Sequence, residues 1–108
     1  RMQFAITKIN NTPGLSLASI PEGAFYLFIR IDDFISVHPK IKSSTDFCQF
    51  LLEEAQVSAV PGVEFGDDSA FRISIALSDQ ELEKGMERIS QAVTRAWNAL
   101  LPDTDCRA

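Results

Sequence analysis

From Ser78 to Leu100 the chain carries one amphipathic stripe, and that stripe limits what the rest of the chain can be. Leu82, Met86, Ile89, Val93, Trp97 and Leu100 recur at steps of three and four, the spacing of one face of an α-helix. Ser78 and Glu81 stand ahead of it as a capping box, in which each side chain satisfies a backbone N–H that the first turn leaves free. Pro102 ends the pattern. A helix of this length, roughly 30 Å, cannot bury its own stripe. Other residues must supply a layer to cover it.

Strand patterns supply that layer. Leu15 and Leu17 alternate with Ser16 and Ala18, which suits a short strand. Pro21-Glu22-Gly23 reads as a turn, because proline presets φ and glycine accepts a positive φ. Ala24 to Ile31 is aromatic and β-branched and apolar on both faces for most of its length, the mark of a central strand. Strand, tight turn, strand predicts an antiparallel hairpin. Val57 to Val60 and Ala70 to Leu77 read as two further strands.

Two more helices complete the layout. Met2, Ala5, Ile6 and Ile9 lie at helical spacing. No capping residue precedes them, from which we expect a chain cut from a longer one. Ser43 or Ser44 caps a second helix, with Phe47, Phe50, Leu51 and Ala55 on one face and Glu53 and Glu54 outside. Residues 32–42, with Pro39, read as a loop. The order is helix, strand, strand, helix, strand, strand, helix. It predicts an α+β two-layer sandwich, a small mixed or antiparallel sheet with helices packed mainly on one face.

Composition removes several function classes. The 108 residues fit one compact domain, and the net charge of −5 argues against a general nucleic-acid binder. No apolar run is long enough to span a bilayer, so no membrane role is expected. Cys48 and Cys106 are far apart in sequence and read as free thiols of a cytoplasmic protein. His38 is the sole histidine, and no ligand cluster with metal spacing accompanies it.

The residue that stands out is Arg72, in the run "AFRISIAL". Alternation sends Phe71, Ile73, Ile75 and Leu77 toward the helices, and Arg72, Ser74 and Ala76 the other way. Small neighbours leave room for the guanidinium to lie flat and offer two parallel N–H groups to a carboxylate. The same pattern also suits an ordinary solvent-face arginine paired with a surface acid.

Three stretches, "PEGAFYLF" (21–28), "FCQFLLEEAQVSAVPGVEFG" (47–66) and "FRISIALSDQELEKGMERI" (71–89), occur in this order. Together they resemble the C-terminal small domain of class I/II aminotransferases, the fold-type-I enzymes that depend on pyridoxal phosphate, and in particular the aspartate-aminotransferase-like ones. The resemblance implies that residues 1–101 are such a small domain, with 102–108 as a C-terminal tail. It implies a parent enzyme that moves an amino group between an amino acid and a 2-oxo acid, with a large domain preceding this one and a homodimeric, cytoplasmic assembly. Arg72 matches the arginine that grips the substrate α-carboxylate. Phe25 matches an aromatic near the substrate pocket, although its pattern suits core packing equally.

The resemblance also implies what this stretch does not carry. The cofactor's lysine, the acid that pairs its pyridinium nitrogen and the phosphate cradle belong to the large domain. Lys8, Lys40, Lys42 and Lys84 all read as solvated. No catalytic, cofactor-binding or metal-binding residue is therefore expected here, and the 108 residues alone are expected to be inactive. Two positions depart from the family. Gln56 stands where glycine is usual, and a left-handed glutamine would cost about 1 kcal/mol, so the helix is expected to end differently. Val63-Glu64 replaces small residues after "VPG". The residues by themselves also leave open a free-standing regulatory domain that binds a small anionic metabolite through Arg72.

Overall fold

A computed structural model describes residues 2–19 and 26–100. Its elements are α1 (Met2–Asn10), β1 (Ser16–Ser19), β2 (Tyr26–Arg30), α2 (Asp32–Val37), α3 (Ser44–Ala55), β3 (Val60–Pro61), a 3₁₀ turn (Gly62–Phe65), β4 (Ala70–Ser74) and α4 (Asp79–Leu100). The strands form one antiparallel sheet in the order β1-β2-β4-β3, the α+β architecture expected. The turn at 21–23, Phe25, Cys106 and the tail at 102–108 lie outside the described residues.

The sheet has one buried face. Leu27 and Ile29 of β2, with Phe71 and Ile73 of β4, face the helices and are buried. Tyr26, Phe28 and Arg30, with Arg72 and Ser74, take the opposite face. Helices α1 and α3 both pack on α4, whose Leu82, Met86, Ile89, Ala92 and Val93 are buried. The capping box forms as the sequence predicts. Ser78 Oγ accepts from Glu81 N at 3.1 Å, and Glu81 Oε1 accepts from Ser78 N at 3.3 Å. Lys8, read as solvated, instead forms an ion pair from α1 to Glu87 of α4.

Four local readings change. Residues 32–37 form a helix rather than loop, because Asp32 and Asp33 suit the positive end of a first turn and Phe34 finds a fully buried site. Phe34 lies 5.2 Å from Phe47 and 6.4 Å from Trp97, ring centre to ring centre. The third strand starts at Val60, not Val57, and its Pro61 is tolerated at a sheet edge, where no partner needs its missing N–H. The fourth strand ends at Ser74, and Leu77 is 39% exposed rather than turned to the helices.

The fourth change is at the end of α3. Gln56 adopts the left-handed conformation (φ 53°, ψ 41°) that its residue type disfavours. Its Nε2 donates to the Glu53 carbonyl at 3.2 Å, and Val57 N–H reaches back to the Leu51 carbonyl at 3.2 Å. These bonds hold the usual left-handed helix ending against the strain of a side chain there. Gln56→Gly is therefore expected to stabilise the fold by about 0.5–1 kcal/mol, read as a higher urea midpoint.

Candidate functional site

The open face of the sheet is built around Arg72. Its Cα pairs across the sheet with Phe28 on one side and Val60 on the other. Tyr26 projects from β2 on the same face, and Phe65 comes over from the 3₁₀ turn. The Arg72 Cζ sits 4.4 Å from the Tyr26 ring centre and 5.5 Å from that of Phe65. Phe65 in turn meets Phe28 edge-on at 5.2 Å. Each cation–ring contact contributes about 0.5–2 kcal/mol, and together they hold the guanidinium.

The charge itself is left unanswered. Among the described residues no carboxylate pairs with Arg72. Its Nε is buried and has no hydrogen-bond partner among the described residues. An orphaned buried donor costs roughly 1–3 kcal/mol, and natural proteins seldom carry one without a use for it. Aromatic rings attract the cation without using up its N–H groups, which leaves them available to an acceptor from outside.

A second arginine on this face is already neutralised. Arg30 donates from Nε and Nη2 to the two oxygens of Asp32 at 2.7 and 2.6 Å. Its Nη1 reaches Asp67 at 3.5 Å. Arg30 holds the Asp32 carboxyl below the ordinary carboxylate range, chiefly through the hydrogen bond. Both arginines take the open face, yet among the described residues Arg30 has a carboxylate partner and Arg72 has none.

The aromatic frame was not legible beforehand. Sequence reasoning gave Arg72 small neighbours, and Ser74 is indeed exposed beside it. Tyr26 and Phe65 come from other parts of the chain, and no sequence spacing ties them to Arg72. The one available signal was that Tyr26 shares the strand parity of Phe28. Phe25 lies outside the described residues.

Other chemistry-bearing residues have local duties. His38 Nδ1 accepts from the backbone N–H groups of Lys40 and Ile41, each at 3.0 Å, and its ring stacks on Phe34. Burial, with help from Lys42 and Lys40, pushes its pKa down. Burial pushes the Cys48 thiol up to about 11, which keeps it protonated and unreactive at neutral pH. Among the described residues no group of His, Cys, Asp or Glu could hold a metal ion, and no helix is long and apolar enough to cross a membrane.

Comparison with known proteins places most of the chain. Residues 3–89 match the model of the family described as aminotransferase class I and II. An aspartate aminotransferase of Rhizobium meliloti is 42% identical over 99 residues, which are 88% of this chain and 24% of that protein. A Petunia hybrida protein named bifunctional aspartate aminotransferase and glutamate/aspartate-prephenate aminotransferase is 37% identical over 97 residues, 86% of this chain and 20% of its own length. The crystal structure of the Rhizobium meliloti aspartate aminotransferase superposes with a TM-score of 0.78, over 86% of this chain and 24% of that one. The chain thus spans about a fifth to a quarter of the length of these relatives.

Proposed function

The chain belongs to the aminotransferase class I and II family, and on that premise we propose that it is the small domain of an enzyme that transfers an amino group from an amino acid to a 2-oxo acid. In this reading Arg72 binds the substrate α-carboxylate. The observation that carries it is an Arg72 without a carboxylate partner among the described residues, with Nε buried and its guanidinium held by Tyr26 and Phe65. A planar carboxylate meets a guanidinium edge through two parallel N–H···O bonds. That geometry fixes the direction of the substrate's Cα as well as its position, and orientation of this kind is a large part of catalysis.

Pyridoxal phosphate does not fit the residues described here. Lys40, Lys42 and Lys84 are exposed, and Lys8 is bound to Glu87. When bound by the rest of the full-length chain, the cofactor would supply the electron sink of amino-group transfer. The contribution of these 108 residues is the carboxylate anchor and the apolar rings around it. A large domain on the same chain and a homodimeric, cytoplasmic parent belong to the same reading, as does inactivity of this portion by itself.

The test compares an amino acid with its α-carboxamide. The full-length protein is assayed for appearance of the new amino acid, with 2-oxo acid held in excess. The free acid is expected to be a substrate and the amide to be used about 100-fold less well, since the amide cannot form the charged bidentate pair. Equal turnover of the two would overturn the assignment of Arg72.

A further inference from the structure

Ser44 is the first residue of α3 and is fully buried, although its neighbour Ser43 already caps the helix by accepting from Asp46 N at 3.1 Å. The Ser44 hydroxyl is therefore free for another duty. It donates to Asp68 Oδ1 at 2.6 Å and accepts from the backbone N–H of Val63 at 3.1 Å. The same Asp68 oxygen also accepts from Ser44 N at 2.9 Å. One carboxylate and one hydroxyl thus tie together the start of α3, the 3₁₀ turn and the loop that leads into β4. Chained bonds of this kind reinforce one another, because the carboxylate polarises the hydroxyl that Val63 donates to.

The turn held in this way carries Phe65, two residues after Val63. Phe65 is 38% exposed, so burial alone does not fix its ring against Arg72. Asp68 is itself exposed, and among the described residues its side-chain hydrogen bonds go to Ser44. We infer that Asp68, acting through Ser44, is a positioning residue for the Arg72 site: it fixes the 62–65 turn so that Phe65 stays against the guanidinium. The inference rests on the carboxylate-binding reading of Arg72. It adds that the affinity of that arginine for substrate is set in part by a hydrogen-bonded link on the far side of the turn.

The experiment uses the full-length enzyme and steady-state kinetics with its amino acid substrate. Asp68→Ala removes the acceptor of two hydrogen bonds and is expected to raise KM about five- to tenfold, the size of one ordinary net hydrogen bond passed on to the site, with kcat changed less than about twofold. Asp68→Asn keeps the Oδ1 acceptor and is expected to restore KM to within about twofold of the parent. Ser44→Ala, which removes only the hydroxyl, is expected to repeat the KM rise. In a Phe65→Ala background, Asp68→Ala is expected to add little, because its route to Arg72 is already gone. A full additional KM rise in that background, or a lowered melting point with unchanged KM in both single variants, overturns the inference. If Arg72→Ala leaves KM unchanged, the carboxylate reading falls and takes this inference with it. An Arg72 effect with none from Asp68 or Ser44 removes the inference alone.

Discussion

Replacing Arg72 with alanine in the full-length enzyme is expected to lower kcat/KM for the amino acid by about 100- to 1000-fold. Truncating one partner of a desolvated, hydrogen-bonded charge pair costs about 2–5 kcal/mol, and each 1.4 kcal/mol is tenfold in rate. The folded state should hardly notice. Arg72 makes no internal ion pair among the described residues and leaves Nε without a partner, so its removal deletes ring contacts and relieves one orphaned donor. Arg72→Lys should recover only part of the loss, since an ammonium offers a point charge in place of a planar fork. Arg30→Ala serves as the control. Arg30 is already bound to Asp32, and its loss should leave kcat/KM within a few-fold. A kcat/KM for Arg72→Ala close to that of the parent would remove the basis for the proposed function.

Gly62→Ala is expected to be the most damaging added methyl among the described glycines. A Cβ built at Gly62 would lie 1.9 Å from the carbonyl oxygen of Asp67 and 2.3 Å from that of Ala70. Both are backbone atoms, so no side-chain rotation can make room. The loop is closed on itself there, with Asp67 N–H donating to the Gly62 carbonyl at 2.9 Å and Ile31 N–H to Ser69 at 2.8 Å. Admitting the methyl means opening residues 62–70 and loosening the entry to β4. Overpacking of this severity costs at least about 3 kcal/mol, seen as a large fall in the urea midpoint. Phe65 would shift with the turn, so KM should rise in whatever fraction still folds. Gly66 gives the contrast: its φ is +93°, but nothing lies within 4 Å of a Cβ there. Its substitution should cost only the left-handed backbone term, about 1 kcal/mol. Equal midpoints for Gly62→Ala and the parent would show that the loop is slack.

Much of the local structure could be read from the chain. Steps of three and four fixed the buried stripe of α4, and the Ser78–Glu81 box fixed where it begins, because both depend on residues within a few positions of one another. Alternation put Phe71 and Ile73 on one face of β4 and Arg72 on the other for the same reason. Helix α2 escaped notice because six residues with one buried phenylalanine show no period, and its stability comes from Phe47, Phe50 and Trp97 elsewhere. Gln56 escaped for a related cause. Local preference argued against a left-handed glutamine, but the packing of α3 and the bonds to Glu53 and Leu51 outweigh a penalty of about 1 kcal/mol.

The site divides along the same line. The sequence by itself determined that an arginine would stand on the outward face of a sheet, since side-chain direction follows from strand period alone. Strand period alone could not distinguish Arg72 from Arg30, which share that face on adjacent strands; in the sequence only the resemblance of the flanking motifs favoured Arg72. Only the tertiary structure decided that Asp32 and Asp67 would neutralise one, while Tyr26 and Phe65 framed the other and left its charge available. Those partners lie 2 to 46 residues away along the chain, and only the sheet order β1-β2-β4-β3 and the closed 62–70 loop bring them together. Charge pairing and ring stacking act over a few ångströms of space, and sequence order does not encode that distance.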